Sequence, residues 1–428
     1  MTHTLPGPTA NRILFLDNIR YLMIVFVVLQ HTGNGYASIT SSWYVWDPAT
    51  TIKLFDAIRM IIDVFIMPVL FFIAGYFALP SIRKKGTGVF FKDKFLRLGI
   101  PWLICVIFIV PIVSYIQHYK RLGGQPLSNY SQFWLNWLRT ASDLYTGFLY
   151  NSPGNLFYRS AAQISFNQTA YWFISLLLFF FIIFGIIYAL KKRLFPSFSI
   201  QEKTHSGKTM LLVMLSVALL CIIIRTSVNL LPYPYSNPWV IVAGVLQFQT
   251  WRLPAYTIYF ALGIYAFSRK WFVKDNNFPG NPFLWISMCI VLCFAYLVVI
   301  KSYMSNPANT ELRFVSGCLL SFLRATFLIV LTSIAFRYWN RSNKINETLA
   351  ANSYNIYLLH LPIVVVLQLL LVNLTGTPSL IKYGIVFSSS FLICYAISRY
   401  AIKPRPRLSV AAVVFISLLM VIFVHPHA

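Results

Sequence analysis

Two histidines lie in apolar stretches of the sequence, where an ionisable side chain is costly and is therefore a candidate for chemistry. His31 lies within the apolar run 19–37, and His360 lies in SYNIYLLHLP, three residues after Tyr357 and on the same helix face. An imidazole with an ordinary pKa of ~6.5 can take a proton from a hydroxyl at neutral pH. We predict that His31 is a catalytic base. The alternative, for either histidine, is a packed side chain satisfied by its neighbours.

Charged residues precede His31 in the same stretch. Eleven residues of helix separate Arg20 from His31 by about 16 Å, so we expect Arg20 at the cytoplasmic mouth and His31 near the membrane midplane. Asp17 is one turn before Arg20 and could hold its guanidinium in place.

Further charges fall within other apolar runs. Arg59 and Asp63 are four residues apart, which predicts an ion pair on one helix face. Asp63 could instead orient His31 if their two helices are neighbours. Arg252 and Arg324 are additional cations for which the sequence indicates no partner.

A basic loop follows the second apolar run and contains Arg83, Lys84, Lys85, Lys92, Lys94 and Arg97. One interpretation is a positively charged anchor on the cytoplasmic side. The other is a phosphate-binding site, because cationic side chains form strong charge-assisted bonds to phosphate.

The elements that must position these residues are membrane spans. The chain has 428 residues, of which 58% are hydrophobic and only 11% are charged, against about 25% charged in soluble domains. Hydropathy predicts an all-α, polytopic transmembrane helix bundle of about 10–11 spans. They are 19–37, 54–78, 98–118, 171–190, 209–225, 239–268, 283–300, 313–336, 353–373, 380–398 and 408–425. The sixth is either one span or a re-entrant piece (239–250) followed by a span.

The loop charges predict the orientation. With the N-terminus in the cytoplasm, the cytoplasmic segments hold 23 Lys+Arg and the opposite segments hold 6, as the positive-inside rule requires. We therefore expect a multi-pass protein of the cell membrane with its C-terminus outside. The longest loop, 119–170, would then lie outside as an interfacial cap or part of an acceptor site, with its aromatic residues Tyr130, Trp134, Trp137, Tyr145, Tyr150 and Tyr158.

The sequence predicts a single membrane domain over 1–428, with a core at about 12–400 and an extra span at about 408–425. The net charge of +25 resides in short loops, which indicates contacts with membrane lipids rather than nucleic acid. The six cysteines fall within apolar runs without histidines at zinc-ligand spacing, so we expect no metal site. The sequence does not indicate the oligomeric state.

Four fragments of the chain resemble the acyltransferase 3 family of integral membrane acyltransferases. RILFLDNIRYLMIVFVVLQH resembles the opening signature, in which ten residues lie between an arginine and a histidine, here Arg20 and His31. MPVLFFIAGYFA resembles the second-span signature, KFLRLGIP the basic start of the third span, and NSYNIYLLHLPI the late tyrosine-rich span. Asp-Asn-Ile-Arg and Met-Pro before Phe-Phe look most like the branch near glucan succinyltransferases and sugar O-acetyltransferases. Lys94 stands where many members carry arginine.

This resemblance implies an enzyme that moves acyl groups other than amino-acyl groups from cytoplasmic acyl-CoA to a hydroxyl of a glycan or other envelope acceptor on the opposite face. Acyl-CoA would be a co-substrate, and no separate cofactor is implied. The expected donor-binding or supporting residues are Arg20, Asp17, Lys94, Arg97, Tyr357 and His360, with Arg59, Asp63 and Arg324 as further support. Direct transfer and an acyl-enzyme both remain open. The alternative function is a polytopic transporter or exporter of an envelope precursor, since transporters also contain buried ions and broken helices.

Overall fold

The computed structural model is a helical bundle, and it describes residues 13–121, 129–150, 166–195, 197, 200, 202–204, 206–230, 239–272, 281–374 and 376–424. In this part of the chain ten helices are long and apolar enough to cross a membrane, which confirms the predicted polytopic all-α class. They are α1 (Leu14–Asn34), α2 (Lys53–Lys85), α3 (Thr87–Lys120), α5 (Trp172–Leu194), α6 (Gly207–Leu230), α8 (Pro282–Ser305), α9 (Thr310–Tyr338), α10 (Lys344–Leu371), α11 (Ser379–Ile402) and α12 (Pro406–Phe423).

The consecutive helices α1 and α2 run in opposite directions, and the bundle has two chemically different ends. Phe26 of α1 packs on Phe65 of α2, while Gln30 bonds to Asp63, so these helices are antiparallel. We call the end that holds the start of α1, the end of α2 and the start of α3 the basic end. The opposite end is covered by residues 35–52, the cap segment, and we call it the cap end.

The segment predicted at 239–268 divides into two pieces. Its first part is an antiparallel hairpin of β1 (Val240–Val242) and β2 (Leu246–Phe248), turned by positive φ angles at Ala243 and Gly244. Its second part is α7 (Leu253–Ser268), with Pro254 in the first helical turn, where its missing N–H costs nothing. The 16 residues of α7 rise only about 24 Å. The hairpin replaces the start of a normal span, so the re-entrant alternative fits the structure.

Close backbone contact joins α2 to α7. A Cβ on Gly75 would lie 1.9 Å from the Phe260 carbonyl oxygen, and one on Gly263 would lie 2.0 Å from that of Phe72. Small residues allow such approach between membrane helices. This contact fixes the height of Arg252, which caps the N-terminus of α7.

Prolines inside the helices free backbone carbonyls, which then accept hydrogen bonds from side chains of other segments. A proline has no N–H for the carbonyl four residues earlier, and at four places a side chain bonds to that carbonyl instead. Pro68 frees the Val64 carbonyl, which accepts from Arg324 Nε at 3.3 Å, and Pro101 frees the Arg97 carbonyl, which accepts from Tyr354 Oη at 2.8 Å. Pro111 frees the Ile107 carbonyl, which accepts from Trp134 Nε1 at 2.9 Å, and Pro362 frees the Leu358 carbonyl, which accepts from Tyr171 Oη at 2.7 Å. Three of the four donors are aromatic side chains.

The first helix begins earlier than hydropathy predicts. It starts at Leu14 rather than near residue 19 and ends at Asn34, so His31 lies in its last turn and not at its middle. The polar residues that hydropathy places before the span are inside the helix because the fold satisfies them. Asn18 Nδ2, for example, donates to the Trp339 carbonyl at 2.7 Å.

The cap segment is folded tightly against the bundle. Trp43 Nε1 donates to Gln368 Oε1 at 2.9 Å, and Lys382 pairs with Asp47 at 2.8 Å, with both side chains of that pair nearly inaccessible. Within the predicted 119–170 loop, α4 (Tyr130–Tyr150) is a helix, and Tyr130 and Trp137 are buried in it. Tyr158 and the side chains of Tyr145 and Tyr150 lie outside the described residues.

Candidate active site

The two histidines identified from sequence form a hydrogen-bonded pair. Nδ1 of His31 lies 2.8 Å from Nε2 of His360, with the ring planes inclined by 19°. His31 comes from the last turn of α1, whereas His360 lies near the middle of α10. His360 is fully buried, and His31 is partly exposed. The pair therefore has one inner member and one member that a substrate can reach.

The Tyr357 carbonyl determines which ring nitrogens of the two histidines carry protons. Nδ1 of His360 lies 2.6 Å from the Tyr357 carbonyl oxygen, which can only accept, so this nitrogen donates. In neutral His360 the other nitrogen, Nε2, is then an acceptor, and Nδ1 of His31 must donate to it. His31 Nε2 is left with a free lone pair. Such a tautomer is suited to a general base, because the second histidine fixes the proton on the far side of the ring.

The Pro362 kink positions this relay. Pro362 frees the Leu358 carbonyl, to which Tyr171 donates, and the Tyr357 hydroxyl donates to the Ala170 carbonyl. These two bonds fix α10 against the start of α5 on the turn that carries the Tyr357 carbonyl. Trp43 of the cap segment packs on the His31 ring, with centroids 5.3 Å apart. Tyr357, predicted as a supporting residue, thus acts on the pair through its backbone oxygen.

A cavity of about 720 Å³ opens at the basic end and extends toward the histidines, within the range of small-molecule sites. Its wall is mainly aliphatic and aromatic and reaches Ile24 on α1 and Leu359, the residue before His360. The histidines themselves do not line it. Four residues of α12 close one side: Pro406, Ser409, Val410 and Val413. The cavity thus leads from the basic surface to within a helical turn of the pair.

The predicted basic residues converge at the opening of this cavity. Arg20, Lys94 and Arg97 all line it, although they come from separate parts of the sequence. Arg20 pairs with Asp17 at 2.9 Å, as predicted from the spacing, and Arg97 pairs with Asp93 at 2.8 Å. Lysine and arginine side chains at the opening of an apolar cavity suit a ligand with phosphates at one end and an uncharged arm.

The predicted ion pair between Arg59 and Asp63 is wrong. Asp63 accepts two bonds from the guanidinium of Arg252, and Gln30 Nε2 donates to it at 3.4 Å. A bidentate pair of this kind is stronger than a single contact along one helix, and only the fold brings α7 to α2. Asp63 also makes no hydrogen bond to His31. The connection between them runs through Gln30, the residue before His31.

The two arginines that lacked evident partners have different environments. Arg252 is the partner of Asp63 and also lies over the Trp251 ring, 4.4 Å from its centroid. Arg324 is 3% exposed and bonds to the Val64 carbonyl that Pro68 leaves free. Near them lies Arg225 of α6, which the sequence analysis did not single out. Its position at the end of an apolar run was the available signal.

In the described part of the chain, no group of three or more His, Cys, Asp and Glu residues could hold a metal ion. The structure thus forms three groups of candidate residues. Arg20, Asp17, Lys94 and Arg97 lie at the basic end, and His31, His360 and Tyr357 lie in the centre. Asp63 and four arginines lie on the cap side of the histidines. Arg59 belongs to this last group by proximity to His31 and Asp63.

The bundle of apolar spans defines a multi-pass membrane protein, with a histidine pair between a basic cavity and a polar cluster. Comparison with known families gives its class: residues 13–399 match the acyltransferase 3 family, described as an acyltransferase domain. The chain belongs to this family, and it is a membrane acyltransferase. No curated protein and no solved structure matches the chain. α12 lies beyond the matched residues.

Proposed function

We propose that this acyltransferase takes an acyl group from acyl-CoA bound at the basic end and transfers it to a hydroxyl of a glycan or other envelope molecule reaching His31 from the cap end. The main support is the histidine relay, which leaves His31 Nε2 free to accept a proton. The apolar cavity and its cationic opening support acyl-CoA as the donor. Family membership favours transfer over the transporter alternative.

The direct reaction needs one proton acceptor. His31 Nε2 takes the proton of the acceptor hydroxyl as its oxygen attacks the thioester carbonyl. The tetrahedral intermediate expels the CoA thiolate, which recovers that proton, so the products are an ester and free CoA. While His31 is charged, its Nδ1–H still donates to His360, which orients the ring as the third group of a catalytic triad does.

A covalent route uses the same nitrogen. Nε2 would attack the thioester, CoA would leave, and the acceptor hydroxyl would then displace the acyl group from the imidazole. Mass spectrometry of the His31 peptide after rapid quenching distinguishes the two routes. An acyl adduct that disappears when acceptor is added indicates the covalent route, and its absence during turnover indicates direct transfer.

The central test is a transfer assay with purified protein and radiolabelled acyl-CoAs, following free CoA and acylated acceptor. A positioned base contributes about 10²–10⁴-fold, so His31→Ala should lose at least a hundredfold in rate while it still binds acyl-CoA. Arg341→Gln, at an exposed site away from the cavity, is the matched control and should retain wild-type turnover. A folded His31→Ala variant with more than about a tenth of the wild-type rate would contradict the role of His31.

The proposed orientation puts the basic end in the cytoplasm and the C-terminus outside. A single cysteine at Ser206, which is exposed at the basic end, should resist an impermeant reagent in intact cells and react after permeabilisation. A cysteine at exposed Ser41 in the cap segment is the matched control and should react in both cases. Labelling of the Ser206 position in intact cells would reverse the orientation and the sides assigned to donor and acceptor.

A further inference from the structure

Four arginines lie in the polar cluster beyond the histidine pair, and among the described residues one carboxylate, that of Asp63, bonds to one of them. Arg59 is on α2, Arg225 on α6, Arg252 at the start of α7 and Arg324 on α9. Asp63 neutralises one of these charges through Arg252. Unpaired charges within the spans of a membrane protein are costly and usually serve a function. The cluster therefore needs a further anion.

The unpaired hydrogen-bond donors of the cluster also indicate a further anion. Nε and Nη1 of Arg225 are buried and have no hydrogen-bond partner in the part of the chain that the structure describes, and the same is true of Nε in Arg59 and Nε in Arg252. Packing accounts for part of the environment of Arg225, whose guanidinium lies 4.9 Å from the Trp251 ring centroid. Stacking leaves the edge of a guanidinium free, however, and that edge is the part that binds carboxylates and phosphates in two-point contact.

The cluster is connected to the reacting nitrogen and to solvent. Arg59 and Asp63 are close enough to His31 to act on it electrostatically, and Gln30 links Asp63 to the same helical turn. Gln30, His31 and Arg59 are all partly exposed. Arg59 is six residues, about 9 Å of helix rise, from the start of α2 at the cap end. The partial exposure of these three side chains places an accessible, polar edge of the cluster beside His31 on the side opposite the cavity.

We propose that this arginine cluster binds an anionic group, a carboxylate or a phosphate, carried by one of the substrates that meet at His31. The inference rests on the proposed function for the presence of substrates at His31. The anion has two sources of equivalent chemistry. It is either the distal carboxylate of a dicarboxylic acyl group, a few bonds from the thioester, or a charged group on the acceptor.

Binding is tested first, without turnover. The full chain in detergent is titrated with succinate, against sodium chloride at equal ionic strength, and its thermal unfolding is followed. Succinate should stabilise the protein saturably, and Arg225→Gln and Arg59→Gln should each raise its apparent Kd at least tenfold. Arg341→Gln controls for the loss of one positive charge, and Arg97→Gln controls for binding at the cavity opening. Both should respond like wild type.

Two variants guard against loss of folding. Arg59 is partly exposed, so Arg59→Gln should fold even if the more deeply packed Arg225→Gln does not. Arg225→Lys keeps the charge but removes the planar fork, and it should bind succinate more weakly than wild type and more tightly than Arg225→Gln.

The source of the anion is tested with matched donors. Succinyl-CoA and butyryl-CoA have acyl chains of equal length, and only the first has a terminal carboxylate. A preference of at least tenfold for succinyl-CoA in CoA release, lost in Arg59→Gln and Arg225→Gln, supports the acyl group as the source. Equal use of both donors, with cluster-dependent succinate binding, supports the acceptor.

The inference is overturned if the cluster variants change neither succinate binding nor donor preference. Failure of the proposed function gives a different result. If no acyl-CoA is turned over but succinate still protects wild type and not Arg225→Gln, the anion site stands and the acyl-CoA donor does not. His31→Ala should bind succinate like wild type, which separates the cluster from the base.

Discussion

The basic-end cavity and the cap-end cluster lie on opposite sides of the same histidine pair and are built in opposite ways. The cavity is wide and apolar, with its cations at the opening, where Arg97 is 72% exposed. The cap end is densely bonded and places its charges deep inside, where Arg324 is 3% exposed. One side suits a flexible ligand that inserts an uncharged arm. The other suits a ligand whose charge is recognised next to the reacting atoms.

The difference also concerns how the two sides are stabilised. Phosphate binding at an exposed opening relies on side chains that solvent can screen. At the cap end, the Asp47–Lys382 pair and the Gln368–Thr32 bond are buried, and together with the Trp43–Gln368 bond they fix the cap segment over His31. Substitutions in the contacts that fix the cap segment should therefore mainly affect stability, and those at the basic end should mainly affect donor affinity.

The largest effect should come from the buried ion pair of the cap. Lys382→Met leaves Asp47 charged and without its partner, and breaking a buried pair in this way costs about 3–5 kcal/mol. The thermal unfolding midpoint should fall sharply. The double variant Asp47→Asn/Lys382→Met should recover much of the loss because no buried charge remains. A single variant as stable as wild type would show that the cap does not depend on this pair.

Removal of the second histidine should have the next largest effect. His360→Ala leaves His31 Nδ1 without its acceptor, and the rate should fall about ten- to a hundredfold, less than for loss of the base itself. His360→Gln can still accept that hydrogen bond through its amide oxygen and should retain more activity than His360→Ala. Single-turnover rates at saturating acyl-CoA measure this. Equal rates for His360→Ala and wild type would remove the relay from the mechanism.

Donor affinity should respond to the opening of the cavity. Arg97→Ala removes one charge-assisted contact to phosphate, worth roughly 1.5–3 kcal/mol, and should raise the Kd for acyl-CoA at least tenfold (about 1.4 kcal/mol per decade). Arg341→Gln is again the matched control. Dephospho-CoA derivatives, which lack one phosphate, should lose less affinity on the Arg97→Ala change if Arg97 contacts that phosphate. An unchanged Kd for acyl-CoA would exclude Arg97 from the site.

The smallest effect should come from the wall that α12 adds to the cavity. Val413→Trp narrows the cavity on one side and should raise the Kd for acyl-CoA a few-fold without changing succinate binding at the cap end. Phe415→Trp is the control, because Phe415 on the same helix is exposed and does not line the cavity. If both variants bind acyl-CoA equally well, α12 does not restrict the donor.

The sequence alone determined the class of fold and the candidate residues of the site. Apolar runs of about twenty residues can only be satisfied as helices in a bilayer, so the spans were predictable. Their ends were less so: α3 begins at Thr87 and not at 98, and α10 begins at Lys344 and not at 353. The spacing of Asp17 and Arg20 on one helix turn was enough to predict their ion pair, which is present at 2.9 Å. His31 and His360 were found because an ionisable group in an apolar run is itself the signal.

Only the tertiary structure decided the partners of those residues. The sequence predicts an ion pair between Asp63 and Arg59 because both lie on one face of α2. In the fold, Asp63 instead pairs with Arg252, 189 residues away. The hydrogen bond between His31 and His360 joins positions 329 residues apart, and no local pattern encodes its geometry. Helix periodicity specifies neighbours within a few turns. Contacts between helices depend on packing, such as the Gly75–Gly263 approach and the proline-freed carbonyls, which emerges only when the whole bundle has assembled.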